Sequence, residues 1–301
     1  MFRNSVQKRK FKRGIFIFCM LLLPLAQFAV FTLYTNIKTF VMAFQSPVAG
    51  EGVALFENLR IFAIEWSSSG KWLRSILNSL GYFPVSVMIT LPLSIVVAYF
   101  LFKKVPLAGL YKVIFFFPSI ISIVVMGLAF RNIFSPNGPL NSVLTALGIP
   151  FERIPLWLND PGWTMPVLYL YAVWAGIGYN CILLFGALSR VPKEVTESAA
   201  LDGCGTFREI FSIYIPIMWP TISTMILFGV TTVFTMFLHT QVLTGGAGDS
   251  WTMVSIVMDL VKSNRNPNYA ATLSLLLILI GVPITQLAKW GLNKIYDTVE
   301  V

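Results

Sequence analysis

The segment that decides the fold is polar and spans residues 190–216, which read RVPKEVTESAALDGCGTFREIFSIYIP. It lies between two long windows that contain no charged residue. Pro192 suits the first turn of a helix, where its missing N–H is not needed, and Gly203 suits the left-handed position that ends one. Thr206 and Glu209 have the spacing of a capping box. The segment therefore predicts two short helices around a sharp turn.

Six windows of the chain contain no Asp, Glu, Lys or Arg, and each holds the roughly 20 apolar residues that cross a bilayer. The predicted spans are residues 14–35, 77–102, 113–131, 163–188, 216–239 and 268–288. A seventh window, residues 132–151, is interrupted by Pro136, Gly138, Pro139 and Pro150, so it is predicted to be a loop with a short helix. The sequence therefore predicts an all-α membrane protein with six transmembrane helices.

Composition and charge agree with this assignment. The 301 residues are 56% hydrophobic and 12% charged, whereas a soluble domain is about a quarter charged. This excludes a soluble enzyme, a disordered tail and a disulfide scaffold. With the N-terminus inside, 14 basic residues lie on the cytoplasmic side and 8 on the outer side. The positive-inside rule thus predicts cytoplasmic N- and C-termini, and the net charge of +9 is expected to face lipid head groups rather than nucleic acid.

Sequence motifs that are typical of several other classes of protein are missing. There is no phosphate-binding G-x-x-x-x-G-K-[ST] loop, no G-x-S-x-G and no H-E-x-x-H. Cys19, Cys181, Cys204 and the single histidine, His239, offer neither a metal site nor a disulfide. His239 is expected to be an interfacial residue. The scarcity of ionisable groups inside the spans argues against a proton-coupled carrier, while a sodium-coupled carrier stays open. The apolar run 14–34 is expected to be a retained anchor, not a cleaved signal peptide.

The first short helix of residues 190–216 combines a carboxylate, Glu197, with the small side chains of Ser198, Ala199 and Ala200. A partner protein could approach this backbone closely and pair with Glu197. The helix could equally rest on the membrane surface with its charges solvated. A helix this short gains most of its stability from packing, so both interpretations stay open on physical grounds.

The spacing of this segment resembles the EAA signature of ABC-importer permeases, E-A-A-x3-G-x9-I-x-L-P. The matching residues are Glu197, Ala199, Asp202, Gly203, Ile213 and Pro216. Ser198 and Ile215 depart from the signature by small changes in volume and polarity. The resemblance covers nearly the whole chain. The chain is similar to the binding-protein-dependent, carbohydrate-uptake permeases of the maltose and glycerol-phosphate type, on the first-subunit (MalF-like) side.

The resemblance implies a type I ABC-importer permease fold, with residues 1–301 forming one transmembrane permease domain of a bacterial or archaeal cytoplasmic membrane. It implies a heterodimer with a second permease subunit, two ATPase subunits that hold ATP and Mg, and an extracellular solute-binding protein that delivers a sugar. No cofactor is expected on this chain, and no enzymatic activity. Residues 190–215 would form the cytoplasmic coupling loop between helices 4 and 5. The expected ATPase-coupling residues are Glu197, Ser198, Ala199, Ala200, Asp202 and Gly203, with Glu197 paired to an arginine of the ATPase.

A substrate path is expected where apolar spans carry aromatic, polar or small residues. In the fourth span Trp174 and Tyr179 could stack on sugar rings, and Asn180 could hydrogen-bond their hydroxyls. The resemblance adds positions that line a sugar site in maltose-type permeases: Gly176, Tyr179, Gly229, Thr232, Val233 and Met236. Ordinary helix packing would explain the glycines and threonines equally well.

Two other functions remain open from the sequence. One is an ABC permease for a non-sugar solute such as an amino acid, phosphate or molybdate. The long outer loop between Lys38 and Arg74 and the Leu-Thr-Gly-Gly turn that ends at Gly246 favour a sugar. The other is a sodium-coupled carrier or a membrane scaffold without transport activity, and neither of these would explain the Glu197 helix.

Overall fold

The structure is a computed structural model that describes residues 2–46, 52, 54, 56–68, 70–263 and 266–295. Parts of the expected outer loop between Lys38 and Arg74, and the last charges counted in the charge balance, lie outside these residues. The chain divides into two compact units, Met1–Ala63 with Leu260–Leu275, and Ile64–Asp259 with Leu276–Val301.

The described residues are helical almost throughout. The helices are α1 Phe2–Gln27, α2 Thr35–Ala43, α3 Glu57–Ser68, α4 Lys71–Pro84, α5 Leu91–Phe102, α6 Ala108–Ile120, α7 Ile123–Ile133, α8 Pro139–Ala146, α9 Thr164–Leu188, α10 Lys193–Leu201, α11 Thr206–Glu209, α12 Ile215–Thr235, α13 Leu238–Leu243, α14 Met253–Lys262 and α15 Pro267–Leu292. Wider π-helical segments join three pairs of them without a break: Phe28–Tyr34, Val85–Thr90 and Ile210–Tyr214.

Among the described residues, five continuous helices are long and apolar enough to cross a membrane, and a bent helix pair makes six if it counts as one span. The five are Phe11–Ala43, Lys71–Phe102, Thr164–Leu188, Thr206–Thr235 and Pro267–Leu292. Each contains or largely overlaps one of the predicted spans. The structure therefore confirms an all-α chain with up to six spans, and it begins several of these helices earlier than the charge-free windows indicate.

The predicted third span, residues 113–131, is not one helix. Helices α6 and α7 meet at an angle of 104°, because Ile121 and Ser122 have extended backbone angles. Two local features weaken the end of α6. Pro118 has no N–H to donate to the preceding turn, and the Ser119 hydroxyl donates to the Phe116 carbonyl oxygen at 2.8 Å. Hydrophobicity alone does not register such a bend.

The predicted fifth span, residues 216–239, also ends differently. Helix α12 stops at Thr235, Met236 is extended, and the chain resumes helical structure only at Leu238. Thr231, Thr232 and Thr235 each donate a hydroxyl hydrogen bond to a carbonyl three or four residues earlier, a pattern that bends helices. The Met236 carbonyl oxygen instead accepts a hydrogen bond from the Thr252 hydroxyl at 2.7 Å.

In the first unit, side chains bind the carbonyl groups at the end of the first span. The Asn58 amide donates to the carbonyl oxygens of Ala43 and Gln45 at 3.2 and 3.0 Å. The Thr272 hydroxyl donates to the Ala43 carbonyl at 2.8 Å, and Asn268 donates to that of Ser46 at 2.7 Å. These contacts satisfy carbonyl groups that a helix end leaves without partners.

The second unit has two buried clusters. One packs α5, α9 and the start of α12, and its largest buried side chains include Tyr99, Leu184 and Tyr214. The other packs α4, α7, α9 and α13 around Tyr82, Phe130, Leu168, Tyr171 and Leu243. Helix α9 contributes to both clusters and is therefore the central helix of this unit.

Candidate coupling segment and translocation cavity

The predicted helix of residues 190–216 is confirmed as α10, which begins directly after Pro192. It ends at Leu201, and Gly203 takes the left-handed conformation with φ of 68°. The Gly203 N–H donates to the Ala200 carbonyl oxygen at 3.2 Å, and the Cys204 N–H donates to that of Ala199 at 3.0 Å. These bonds close the end of the helix in the manner expected of a glycine cap.

One small residue faces inward on α10, and the other predicted coupling residues are open to solvent. Ala199 is buried, whereas Glu197, Ser198, Ala200, Asp202 and Gly203 are exposed. Large apolar side chains accompany them: Leu201 is 90% exposed and Phe207 is 79% exposed. Glu197 makes no ion pair with any residue that the structure describes. The segment thus presents an unpaired carboxylate together with exposed apolar side chains.

The capping box predicted at Thr206 and Glu209 does not form. Gly205 is the residue that precedes α11, and no side chain caps this helix. The Glu209 side chain instead points away from the helix start and is buried at 7% exposure. One of its oxygens accepts a hydrogen bond from the Tyr99 hydroxyl at 2.6 Å, and the other accepts one from the Lys103 ammonium at 2.6 Å.

This contact ties the far end of α5 to the segment that leads from α10 into α12. Burial alone would lower the pKa of Lys103, but the hydrogen bond and the charge of Glu209, with a contribution from Tyr214, raise the pKa above its usual value of 10.5. Lys103 therefore stays charged at neutral pH. The ion pair links the segment of residues 190–216 to the end of the second predicted span.

A cavity of about 330 Å³ lies in the second unit, and Tyr82 and Tyr171 of the second buried cluster contribute to its wall. Five of the predicted path residues line it: Gly176, Tyr179, Asn180, Thr232 and Met236. A second cavity of about 330 Å³ shares Tyr179, Asn180 and Thr232 with the first. These five residues, which the sequence analysis selected from the fourth and fifth spans, therefore lie around the same pair of cavities.

The other three predicted path residues do not line either cavity. Trp174 stacks on Phe130 with ring centroids 6.0 Å apart. Gly229 packs against the side chains of Ser86 and Val87, and Val233 is buried in the protein interior. Helix packing, the alternative considered from the sequence, explains these three residues.

Sequence reasoning missed several other residues of the cavity wall. Tyr82, Ser86 and Thr90 come from α4 and the π-helical segment after it, and Ser119 comes from the bent third span. His239, expected at the membrane interface, is buried at 8% exposure. Its ring packs edge-on against Tyr171 with centroids 4.9 Å apart. The polar side chains at positions 82–90 could have been recognised in the sequence. The two helix breaks that bring Ser119 and His239 to the cavity could not.

No three His, Cys, Asp or Glu side chains cluster in the described part of the chain. The second unit contains a cavity, a polar segment with an exposed carboxylate, and an ion pair that joins this segment to a span.

Residues 61–291 match the family described as binding-protein-dependent transport system inner membrane component.

This chain belongs to that family. It is therefore a multi-pass permease subunit of an ABC importer in the cytoplasmic membrane, and it is not an enzyme, since ATP hydrolysis takes place on separate subunits. The permease family match begins in α3, after the first span.

Two curated relatives are similar along most of the length of this permease, and a third along about half of it. The lactose transport system permease protein LacF of Rhizobium radiobacter is 28% identical over 265 residues, which are 85% of this chain and 87% of that protein. The arabinooligosaccharides transport system permease protein AraP of Bacillus subtilis is 27% identical over 84% of this chain and 80% of its own. The maltose/maltodextrin permease MalF of Escherichia coli is 29% identical over 47% of this chain and 27% of its own length.

Solved structures confirm the fold of the permease. A chain in the crystal structure of a bacterial ABC transporter that imports the acidic polysaccharide alginate superposes with a TM-score of 0.80 at 22% identity, over 95% of this chain and 98% of that one. A chain of the alginate transporter in complex with a pentasaccharide-bound periplasmic protein superposes with a TM-score of 0.81 at 21% identity, over 96% and 98%. At such identities the likeness concerns the fold alone.

Proposed function

We propose that this permease forms half of the translocation path of an ATP-driven importer that takes up a sugar or oligosaccharide. The observation that carries the proposal is the exposed segment around α10, in a chain that belongs to the importer family. The named relatives transport lactose, arabinooligosaccharides and maltodextrins, which supports a carbohydrate cargo. The complete transporter would contain a second permease, two ATPase subunits with ATP and Mg, and an extracellular solute-binding protein.

Helix α10 would act as the coupling helix, and the residues in contact with the ATPase would be Glu197, Ser198, Ala199, Ala200, Asp202 and Gly203. Small side chains let another backbone approach, and the apolar side chain of Leu201 would be buried on docking. Glu197 would pair with an arginine of the ATPase. When ATP closes the two ATPase subunits, their movement would shift α10 and, through it, the spans that line the cavity.

The cavity wall would line the path that the sugar follows. Tyr179 is exposed and offers an aromatic face at the cavity, next to the Asn180 amide. Gly176 leaves room beside the Thr90 side chain, which a Cβ at position 176 would approach within 3.1 Å. The path would be completed by the second permease, because one chain supplies only part of its wall.

The first test is purification of the tagged chain from native membranes in mild detergent, followed by mass spectrometry. Recovery of a second permease, an ATPase with a phosphate-binding loop and a solute-binding protein would support the importer. Saccharide uptake by the reconstituted complex would then identify the cargo class. Recovery of the chain alone would refute the proposed assembly, and uptake restricted to a non-sugar solute would refute the proposed cargo.

The coupling role is tested by Glu197→Ala, with Glu194→Ala as the matched control, since both carboxylates are exposed on α10. Loss of one partner of a desolvated ion pair costs about 3–5 kcal/mol, so Glu197→Ala should release the ATPase and abolish uptake. Glu194→Ala should preserve both. Equal ATPase recovery and uptake in the two variants would contradict the coupling role of Glu197.

A further inference from the structure

Two residues at the end of α5 hold both oxygens of the Glu209 carboxylate. The Tyr99 hydroxyl donates to one oxygen and the Lys103 ammonium to the other, each at 2.6 Å. Tyr99 and Lys103 are separated by the spacing that places two side chains next to each other on one face of a helix. A carboxylate held at both oxygens is fixed in orientation as well as in position. We call these three residues the carboxylate clamp.

The clamp tolerates little relative movement of the elements that it joins. Each of its bonds is 2.6 Å long, and an increase of about 1 Å would break it. The Tyr214 ring packs against the same place, with its centroid 5.4 Å from that of Tyr99 and 6.4 Å from that of Phe102. Because Glu209 and Tyr214 are both buried, water has little access to compete for the carboxylate.

Packing stability alone does not explain a charged clamp at this place. The cluster around it is apolar and includes Leu184, Leu188 and Met218. Desolvation of an ionised carboxylate is costly, and apolar side chains of similar volume often give equal or greater stability. An ion pair with directional hydrogen bonds adds a defined relative position of the elements that carry it, as polar residues do for the register of coiled coils. The clamp therefore specifies where the end of α5 lies relative to residues 206–214.

The helix that carries the clamp also reaches the cavity. Helix α4, the π-helical segment Val85–Thr90 and α5 form one continuous span, Lys71–Phe102. Ser86 and Thr90 of this span line the cavity, and about 20 Å of helix separates Thr90 from Lys103. A displacement of the clamp would therefore be delivered to this wall by a single helix.

We propose that Glu209 is a positioning residue for transport, which makes the end of α5 move together with α10 when the ATPase subunits close. The proposal rests on the proposed function, because it requires that α10 docks on the ATPase. Along the chain, α10 is connected to α9 on one side and, through α11 and the π-helical segment Ile210–Tyr214, to α12 on the other. The clamp supplies a connection to α5 that the chain itself lacks. Without it, ATPase docking and ATP hydrolysis would persist, whereas the amount of sugar imported per ATP would fall.

The test measures sugar imported per ATP hydrolysed by the complete importer in lipid vesicles, with lactose, maltodextrin and arabinooligosaccharide as the panel of probes. Glu209→Gln keeps the volume and an acceptor for Tyr99 but places an amide at the Lys103 ammonium, and it should lower the ratio about ten-fold. Lys103→Met should do the same, and Lys103→Arg should retain most of the coupling. Lys104→Met is the matched control, since Lys104 is exposed and forms no ion pair within the described residues. An unchanged ratio in Glu209→Gln and Lys103→Met would overturn the proposal.

A distance measurement distinguishes positioning from a purely structural role. Spin labels are attached at Lys104→Cys, just after α5, and at Glu194→Cys on α10, both exposed positions, in a protein whose Cys19 and Cys204 are replaced by serine. When a non-hydrolysable ATP analogue closes the ATPase subunits, the distance between the labels should stay constant within about 1 Å. With Glu209→Gln in addition, it should change. A distance that changes while Glu209 is present, or one that stays constant in Glu209→Gln, would overturn the proposal.

These results are separable from those on the proposed function. Saccharide import with an unchanged ratio in the clamp variants would refute the role of Glu209 and leave the importer intact. Release of the ATPase by Glu209→Gln would also refute it, because docking is assigned to α10. A chain that assembles with no ATPase would refute the proposed function itself. If no probe of the panel is imported, the distance measurement decides the role of Glu209, since it needs no saccharide.

Discussion

The Tyr99 hydroxyl lies 2.6 Å from Glu209 Oε2 and donates a hydrogen bond to it, although the two residues are 110 positions apart in the sequence. Lys103 Nζ lies at the same distance from the other carboxylate oxygen. The end of α5 is thus joined to the short connection between α10 and α12. A displacement of α10 would be passed to α5 through this carboxylate as well as along the chain to α12.

Loss of this carboxylate should weaken the structure measurably. Glu209→Ala leaves Tyr99 and Lys103 without their partner, and a fully buried pair would lose about 3–5 kcal/mol. The Lys103 side chain is 38% exposed and can reach water, so we expect a loss of about 1–2 kcal/mol. This loss of stability is measured by thermal unfolding of the detergent-purified complex. Glu194→Ala, which removes an exposed carboxylate, serves as the control, and equal melting temperatures in both variants would contradict the assigned role.

The same pair should be insensitive to pH in the physiological range. Because the pKa of Lys103 is raised above 10.5, the stabilisation by its charge is fully present below 10.5 and is lost only as the pH rises through the folded-state value. The melting-temperature difference between the wild type and Glu209→Ala should therefore stay constant from about pH 7 to about pH 9. A difference that shrinks within this range would show that the lysine titrates earlier than the structure implies.

A glycine on α9 marks the close approach of two helices. A Cβ at Gly178 would collide with the Phe115 carbonyl oxygen of α6 and approach Ser119 Oγ at 3.1 Å. Gly178→Ala should therefore cost about 1–3 kcal/mol and lower the yield of folded protein. Gly186→Ala on the same helix meets no atom within 4 Å and should be neutral or slightly stabilising. Fluorescence-detected size-exclusion chromatography after heating compares the two, and an equal loss in both would exclude the steric explanation.

Asn78 fixes the glycine-rich turn after α13. Its amide donates to the carbonyl oxygens of Asp249 and Trp251 at 2.8 and 2.9 Å, and Arg74 forms an ion pair with the Asp249 side chain. Asn78→Ala leaves both carbonyls without this donor, which should cost about 1–3 kcal/mol and make the turn susceptible to protease. Leu77→Ala, at an exposed position of the same helix, should not change cleavage. Equal cleavage rates would show that Asn78 does not hold the turn.

The sequence was most informative where a local rule decides the structure. Charge-free windows predicted the spans because the cost of burying a charge depends on composition alone. Pro192 and Gly203 predicted the start and end of α10 because each acts on its own turn. Rules of this kind need no knowledge of distant residues.

The sequence was least informative where a residue distant along the chain determines the local structure. Glu209 has the spacing of a capping residue, but Tyr99 and Lys103 offer it stronger contacts than the helix start. The break at Ile121 and Ser122 and the extended Met236 depend on competing hydrogen bonds within apolar helices, which hydrophobicity does not register. Since these two breaks bring Ser119 and His239 to the cavity, these two members of its polar wall could not be predicted.

None of the residues that line the cavity at His239 is an Asp, Glu, Lys or Arg, and this uncharged wall has an energetic consequence for transport. The membrane potential does work of about 2.3 kcal/mol on each elementary charge per 100 mV. A neutral sugar that passes this wall carries no charge with it, so an inside-negative voltage would neither assist nor oppose its entry. The membrane potential would then do no work on the cargo itself, and the driving force for its entry would have to come from ATP.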